Sequence, residues 1–373
     1  MGGPVSASSP ELAAKVARTV LKNTLRVRPG ENVVIETWSE TLPWAKPFVA
    51  EARRMGANPM LLYEDEDSFW EAIETGNGRH TGQVGHHEWA ALAKTSAYVF
   101  FFGPSQWPRG DEIPEKKRAG VAAYNPEWYK RAAKAKLRGA RMYLGRTSQL
   151  AADRWKLDLD GWREELVRAS LVPPAELHRV GSRVAERLRK GKQVTVSQDD
   201  GTELTFRLGR YPTFLDDALV DASDVKSGNN MATLPGGVVG AAIDHTSAVG
   251  TIVGNHTSYP DSGPVTGVKW EFSDGHLTGQ SYASGGEPIQ TSYDKAPAKG
   301  KDRLSFISVG LNSEISHLPQ MEDQELGAVL FRIGGNNFIG GKNASPFGAW
   351  TVVTGADVTI DGKPLIREGK IVG

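Results

Sequence analysis

Cysteine is absent from the 373 residues. Disulfides, thiol nucleophiles and cysteine-based metal or iron–sulfur sites are therefore excluded. Net charge is also absent, because 44 Lys and Arg balance 44 Asp and Glu. No uniform field draws the chain to nucleic acid or to an anionic membrane, so neither is expected as a partner. No apolar run approaches the ~18 residues of a membrane span, and the opening MGGPVSASSPELAAK lacks the apolar stretch of a signal peptide. A cytoplasmic location is the expectation, and Asn255-His-Thr257 and Asn343-Ala-Ser345 then read as chance glycosylation triplets. No GxGxxG, and no GxxxxGK followed by Ser or Thr, comes after any strand-like run, so no nucleotide site is recognisable. HExxH and the GxSxG elbow are missing too, which leaves neither a zincin site nor a named serine nucleophile.

What is present reads as a globular chain of two domains, 39% apolar and 24% charged. In the first half, strands alternate with helices. Val33-Val34-Ile35, Met60–Tyr63, Tyr98–Phe102 and Met142–Leu144 read as strands. Leu42–Met55 and Pro126–Leu137 read as helices between them. That order predicts βαβ units and a mainly parallel sheet. Residues 150–192 are charged and helical, interrupted by Pro173-Pro174. We place the domain boundary near Gly191, giving an N-terminal α/β domain over 1–191 and a β-rich α+β domain over 192–373. Three Asp-Gly turns, at Asp200-Gly201, Asp274-Gly275 and Asp361-Gly362, predict hairpins in the second half. Pro288–Asp302, with Lys295, Lys299 and Lys301, reads as an exposed loop.

Histidine is the first place to look for acid–base chemistry near neutral pH. There are 8. His80, His86 and His87 fall in a polar segment and at a helix start. Asp244-His245 and His256 flank the apolar run Gly250–Val253, where a carboxylate or an imidazole could activate water. Adjacent residues on a strand point to opposite faces, so Asp244 does not easily orient His245. Glu314 and His317 could share a turn face, or form a solvated loop with Glu322, Asp323 and Glu325. Asn336 and Asn337 follow the run Ala328–Ile333. Their amides could hold a substrate oxygen or serve the turn itself.

Taken in order, several segments resemble the aminopeptidase T family of metallopeptidases. They are Leu25–Val33, Glu51–Pro59, Gly201–Thr205, Thr233–Ala242, Ser247–Val253, Ser308–Asn312, Gly327–Gly334 and Asp357–Gly362. The resemblance implies that family's fold and a homodimer or larger homo-oligomer. It also implies where the metal ligands would stand. The positions where the family carries Glu, His and Asp are here Val238, Phe306, Leu330, Gly348 and Trp350, and its ligand Tyr falls near Asn337. None of the apolar side chains binds a divalent ion. The same positions serve a relative that opens dihydroxypyridine rings with a single Fe(II).

We therefore expect no metal and no cofactor. The expected function is a metal-independent hydrolase of a small, N-heteroaromatic or other ring-containing molecule. Val238, Phe306, Leu330, Asn336 and Trp350 would line its pocket, and Asp244, His245, His256 and Asn337 would do the chemistry. A metalloaminopeptidase with ligands relocated to Asp244, His245, His256 and Glu314, or a non-catalytic binding protein, are the alternatives.

Overall fold

In the computed structural model, residues 9–76, 78–259 and 263–373 are described. The strands, in chain order, begin with β1 (Asn32–Trp38), β2 (Asn58–Glu64), β3 (Ala97–Phe101), β4 (Arg138–Met142), β5 (Gln193–Gln198), β6 (Thr202–Asp216) and β7 (Met231–Leu234). They continue with β8 (Val238–Ile243), β9 (Val249–Gly254), β10 (Ser258–Tyr259), β11 (Gly263–Pro264), β12 (Val268–Ser273) and β13 (His276–Ser281). The last are β14 (Leu304–Gly310), β15 (Val329–Gly334), β16 (Gly348–Val353), β17 (Asp357–Ile360), β18 (Lys363–Arg367) and β19 (Lys370–Ile371). The chain forms two compact units. One comprises Met1–Pro174 with Ala218–Pro235, the other Ala175–Asp217 with Gly236–Gly373.

The first unit holds the expected parallel sheet, in the order β2-β1-β3-β4-β7. Its central strands are apolar because both faces are covered. Val33, Val34, Ile35, Ala97, Tyr98 and Val99 are all buried. The helix Leu42–Arg54 joins β1 to β2, with Pro43 in its first turn, where the missing N–H costs nothing. It buries Trp44 and Phe48, and Phe48 meets Phe101 edge-on at 5.5 Å. Gly56, with φ +76°, ends that helix in the left-handed region, where a Cβ would be strained. The strand expected at Met142–Leu144 ends at Met142. The backbone turns into a 3₁₀ helix over Tyr143–Arg146 once its pairing with Phe101 is complete.

Among the described residues the second unit holds the short pair β10–β11 and, apart from it, a sheet of twelve strands. Its main path runs β16-β15-β14-β8-β6-β5-β17-β18-β19. The long strand β6 serves two neighbourhoods. Its first half pairs with β5 and β9, and its end, Thr213–Asp216, pairs with β8. All three Asp-Gly turns close hairpins, β5–β6, β12–β13 and β17–β18. At Asp274-Gly275 and Asp361-Gly362 both turn residues take positive φ, the conformation that matches strand twist. Trp270 is fully buried, and Phe206 and Phe331 meet edge-on at 6.3 Å in the core.

The compact units first divide after Pro174, whereas the sequence placed a boundary near Gly191, and the helix Pro174–Lys190 lies in the second unit from Ala175 onward. It buries Leu177, Val184 and Leu188, and Gly181 lies so close to Leu215 that an added Cβ would come within 2.3 Å. The exposed loop read at Pro288–Asp302 begins as a helix, Glu287–Lys295. Pro288 sits in its first turn and Ile289 is buried beneath it, so the segment has the start signal and the anchor a helix needs. No helix among the described residues is long and apolar enough to cross a membrane.

Candidate functional site

Four neighbouring strands, β8, β14, β15 and β16, build the site. Their register aligns residues in rows across the sheet. One row reads Ala242, Phe306, Arg332, Trp350, and the next reads Gly240, Ser308, Leu330, Val352. Val238 pairs with Gly310 in a third. Side chains alternate along a strand, so all of these share one face. The opposite face carries Ile307, Val309, Phe331, Ile333 and Val353, each 0% exposed. The shared face is slightly open, with Val238 at 7%, Phe306 at 6% and Leu330 at 9%.

Val238, Phe306, Leu330 and Trp350 therefore stand together on one surface. Phe306, Leu330 and Trp350 pack into a single apolar cluster with Phe214, Ile339 and Val352. Phe214 stacks on Phe306 at 5.7 Å, and both rings lie over Gly240, where a Cβ would approach each to under 3 Å. Trp350 stacks on Tyr259 at 4.2 Å. The Tyr259 hydroxyl donates to the Trp350 carbonyl and accepts from its N–H, which fixes the indole from behind. Burial pushes the Tyr259 phenol far above its ordinary value, so it stays neutral.

A histidine pair borders the face. The segment after β9 runs beside β16, and His256 pairs with Val352. Its ring stacks on His317 at 3.6 Å and 16°. The partner of His317 is Glu325, which accepts from both the backbone N–H, at 2.9 Å, and Nδ1, at 2.8 Å. Nδ1 is the donor in that bond, because a carboxylate only accepts, and the bond fixes the orientation of the ring. His256 has its pKa lowered, first by burial and then by the neighbouring His317. Glu322 is buried, and burial raises its carboxyl to about 7, against a hydrogen bond from Ser258. Ser258 is two residues beyond His256 in the chain.

The other expected residues lie elsewhere. Asp244 sits in the turn after β8 and binds Arg207 at 2.7 Å and the Thr246 hydroxyl at 2.6 Å. Burial raises its pKa, but these bonds outweigh it and hold the carboxyl below its usual range. The six residues of β9 separate Asp244 and His245 from His256, a span of roughly 16 Å. The three do not form one catalytic group. Asn337 is exposed in a 3₁₀ turn. Asn336 is buried and spends its amide on structure, donating to the Ser305 carbonyl at 2.8 Å and accepting from the Asn343 N–H at 2.9 Å. Asn336→Ala should therefore cost about 2–3 kcal/mol of stability, read by urea denaturation, through two broken buried hydrogen bonds. An unchanged midpoint would restore a substrate-binding role.

Sequence reading passed over Arg332 and Tyr259 as site residues and left the roles of His317, Glu322 and Glu325 open. The spacing from His317 to Glu325 carries no helical or strand period, so nothing in the chain announces that pair. A metal does not fit the apolar face, since Val, Phe, Leu and Trp present no donor. Among the described residues no group of three or more His, Asp and Glu converges to hold one. That also removes the geometric basis for ligands relocated to Asp244, His245, His256 and Glu314.

No protein-family model matches the chain, and no curated protein sequence matches it. Solved structures do. The 2,5-dihydroxypyridine dioxygenase from Pseudomonas putida KT2440 aligns with a TM-score of 0.63 at 16% identity, covering 99% of each chain. Wild-type AmpT from Thermus thermophilus aligns with a TM-score of 0.71 at 16% identity, covering 97% of this chain and 99% of its own. Along nearly its whole length, the chain is similar in fold to these two proteins.

Proposed function

We propose that this chain is a hydrolase that acts without a metal on a small ring-containing molecule held against the face of β8, β14, β15 and β16. One observation carries the reading. The positions that lack metal donors, Val238, Phe306, Leu330 and Trp350, are gathered on one slightly open apolar face, and a fixed histidine pair stands at its border. A flat apolar molecule suits such a wall, with stacking on Trp350 or Phe306 to orient it.

His256 is the base in this scheme. It is neutral near pH 7 and takes a proton from water. The water oxygen forms a bond to an electron-poor carbon of the substrate as the bond from that carbon to the leaving group breaks. Glu322, its carboxyl raised to about 7 by burial and so still partly protonated near neutrality, supplies the proton that leaves with that group. His317, itself held by Glu325, keeps His256 in place by stacking on it. The test is a panel of N-heteroaromatic and other ring compounds incubated with the full chain after dialysis against EDTA, read by mass spectrometry. Turnover that survives dialysis and falls by about 10²–10⁴-fold in His256→Gln is expected. Turnover that dialysis abolishes and a divalent ion restores would return the chain to metal chemistry. A panel without any turnover would favour a non-catalytic binding role.

A further inference from the structure

Arg332 is the charged member of the row Ala242, Phe306, Arg332, Trp350. Phe306 lies directly across from it on one neighbouring strand and Trp350 on the other. The side chain is half-buried, and its guanidinium carbon sits 5.2 Å from the centre of the Phe338 ring. Nε donates to the Gly335 carbonyl at 3.2 Å. A terminal nitrogen lies over Gly348, where an added Cβ would come within 1.9 Å of it, so glycine makes the room for this cation. No ion pair among the described residues includes Arg332. Tyr259, the nearby phenol, is held neutral and supplies no countercharge.

A cation drawn out of water without a counter-ion is costly, and a ligand anion offsets that cost. The guanidinium fork matches a carboxylate with two parallel hydrogen bonds. Aromatic walls on both sides match a ring attached to that carboxylate. We propose that this face takes an aromatic carboxylate, its acid group paired with Arg332 and its ring stacked between Trp350 and the Phe306 side. The inference rests on the reading of this face as the substrate site, and it narrows the substrate class from ring compounds to ring acids.

The test is calorimetric binding to the full-length chain, which needs no turnover. The probes are benzoate, benzamide and cyclohexanecarboxylate. Benzoate is expected to bind at least ten-fold more tightly than either of the others. Arg332→Met should weaken benzoate by about 10–100-fold and leave benzamide unchanged, and Arg332→Lys should recover part of the loss as a point charge. Equal binding of benzoate and benzamide to the wild-type chain would overturn the proposal, and that comparison stands even if the Met variant does not fold. Unchanged benzoate affinity in a folded Met variant would overturn it too. Benzoate binding through Arg332 without hydrolysis of any ring acid would sink the hydrolase and keep this inference. Hydrolysis of neutral rings with no benzoate binding would do the reverse.

Discussion

His256→Gln is expected to slow turnover of the ring substrate by about 10²–10⁴-fold, the usual contribution of a positioned general base. Gln keeps the size and some of the hydrogen bonding of the imidazole but cannot take a proton. The pH profile separates this role from a structural one. In the wild-type chain, kcat/KM should rise with pH as His256 loses its proton, below the ordinary imidazole range because burial and His317 lower its pKa. It should fall again as Glu322 ionises near pH 7. The result is a bell with its top just on the acid side of neutrality. In His256→Gln the acid limb should vanish and any remaining activity should keep the alkaline limb. In Glu322→Gln the alkaline limb should vanish. Stopped-flow or steady-state rates between pH 5 and 9 would settle it, with circular dichroism to confirm that each variant is folded. A His256→Gln chain that keeps both limbs would remove His256 from the chemistry.

The second large effect lies in the first unit and concerns stability. Glu36 projects from β1 and accepts the Tyr98 hydroxyl. Burial raises its carboxyl to about 7, the Tyr98 bond pulls the other way, and Glu64 and Glu88 add repulsion. A raised folded-state pKa fixes the sign. Below about pH 4.5 the folded and unfolded chains both hold the proton, and the group costs nothing. Between 4.5 and 7 the unfolded chain releases it first, so stability falls as pH rises. Above 7 the folded chain carries the full cost of a charge in an apolar setting. The shift corresponds to at most about 3 kcal/mol, and less because Glu36 keeps an exposed edge. Glu36→Gln keeps an acceptor for Tyr98 and has no charge to bury. Its stability advantage over the wild-type chain should therefore grow by about 2 kcal/mol from pH 5 to pH 8, measured as urea midpoints with a constant m-value. An advantage that does not change with pH would show that the carboxyl is already ionised at pH 5.

The sequence made the fold legible where local signals were strong. The apolar runs at Val33 and Tyr98 had to be buried on both faces, and the three Asp-Gly turns had little choice but to close hairpins. The shared face of Val238, Phe306, Leu330 and Trp350 was legible through the family resemblance, since strand parity then follows. What stayed hidden depended on pairing across the chain. Asp244 looked like a catalytic carboxylate because it stands beside a histidine. Its actual partners are Arg207 and Thr246, and the latter bond is a common turn. The His256–His317 stack joins residues from two loops, and no period in the sequence links them. Arg332 sits between apolar residues in its strand, and only the register shows it between two aromatic rings. The helix at Glu287–Lys295 was missed because Lys295, Lys299 and Lys301 read as solvent exposure while Ile289, its one buried anchor, is a weak signal.

The interleaving of the two units also bears on how the chain comes into being. The first sheet receives its fifth strand, β7, only after residues 175–217 have been made for the second unit. During synthesis the first unit therefore waits, one strand short, while a helix and the β5–β6 hairpin of its neighbour leave the ribosome. The edge of β4 stays open to stray pairing through that interval. A single protease cut cannot leave both units whole, because wherever it falls at least one of them loses a piece. Gene fusion or loss that moves contiguous segments cannot exchange one unit for another, so the two must be inherited, and must vary, as a pair.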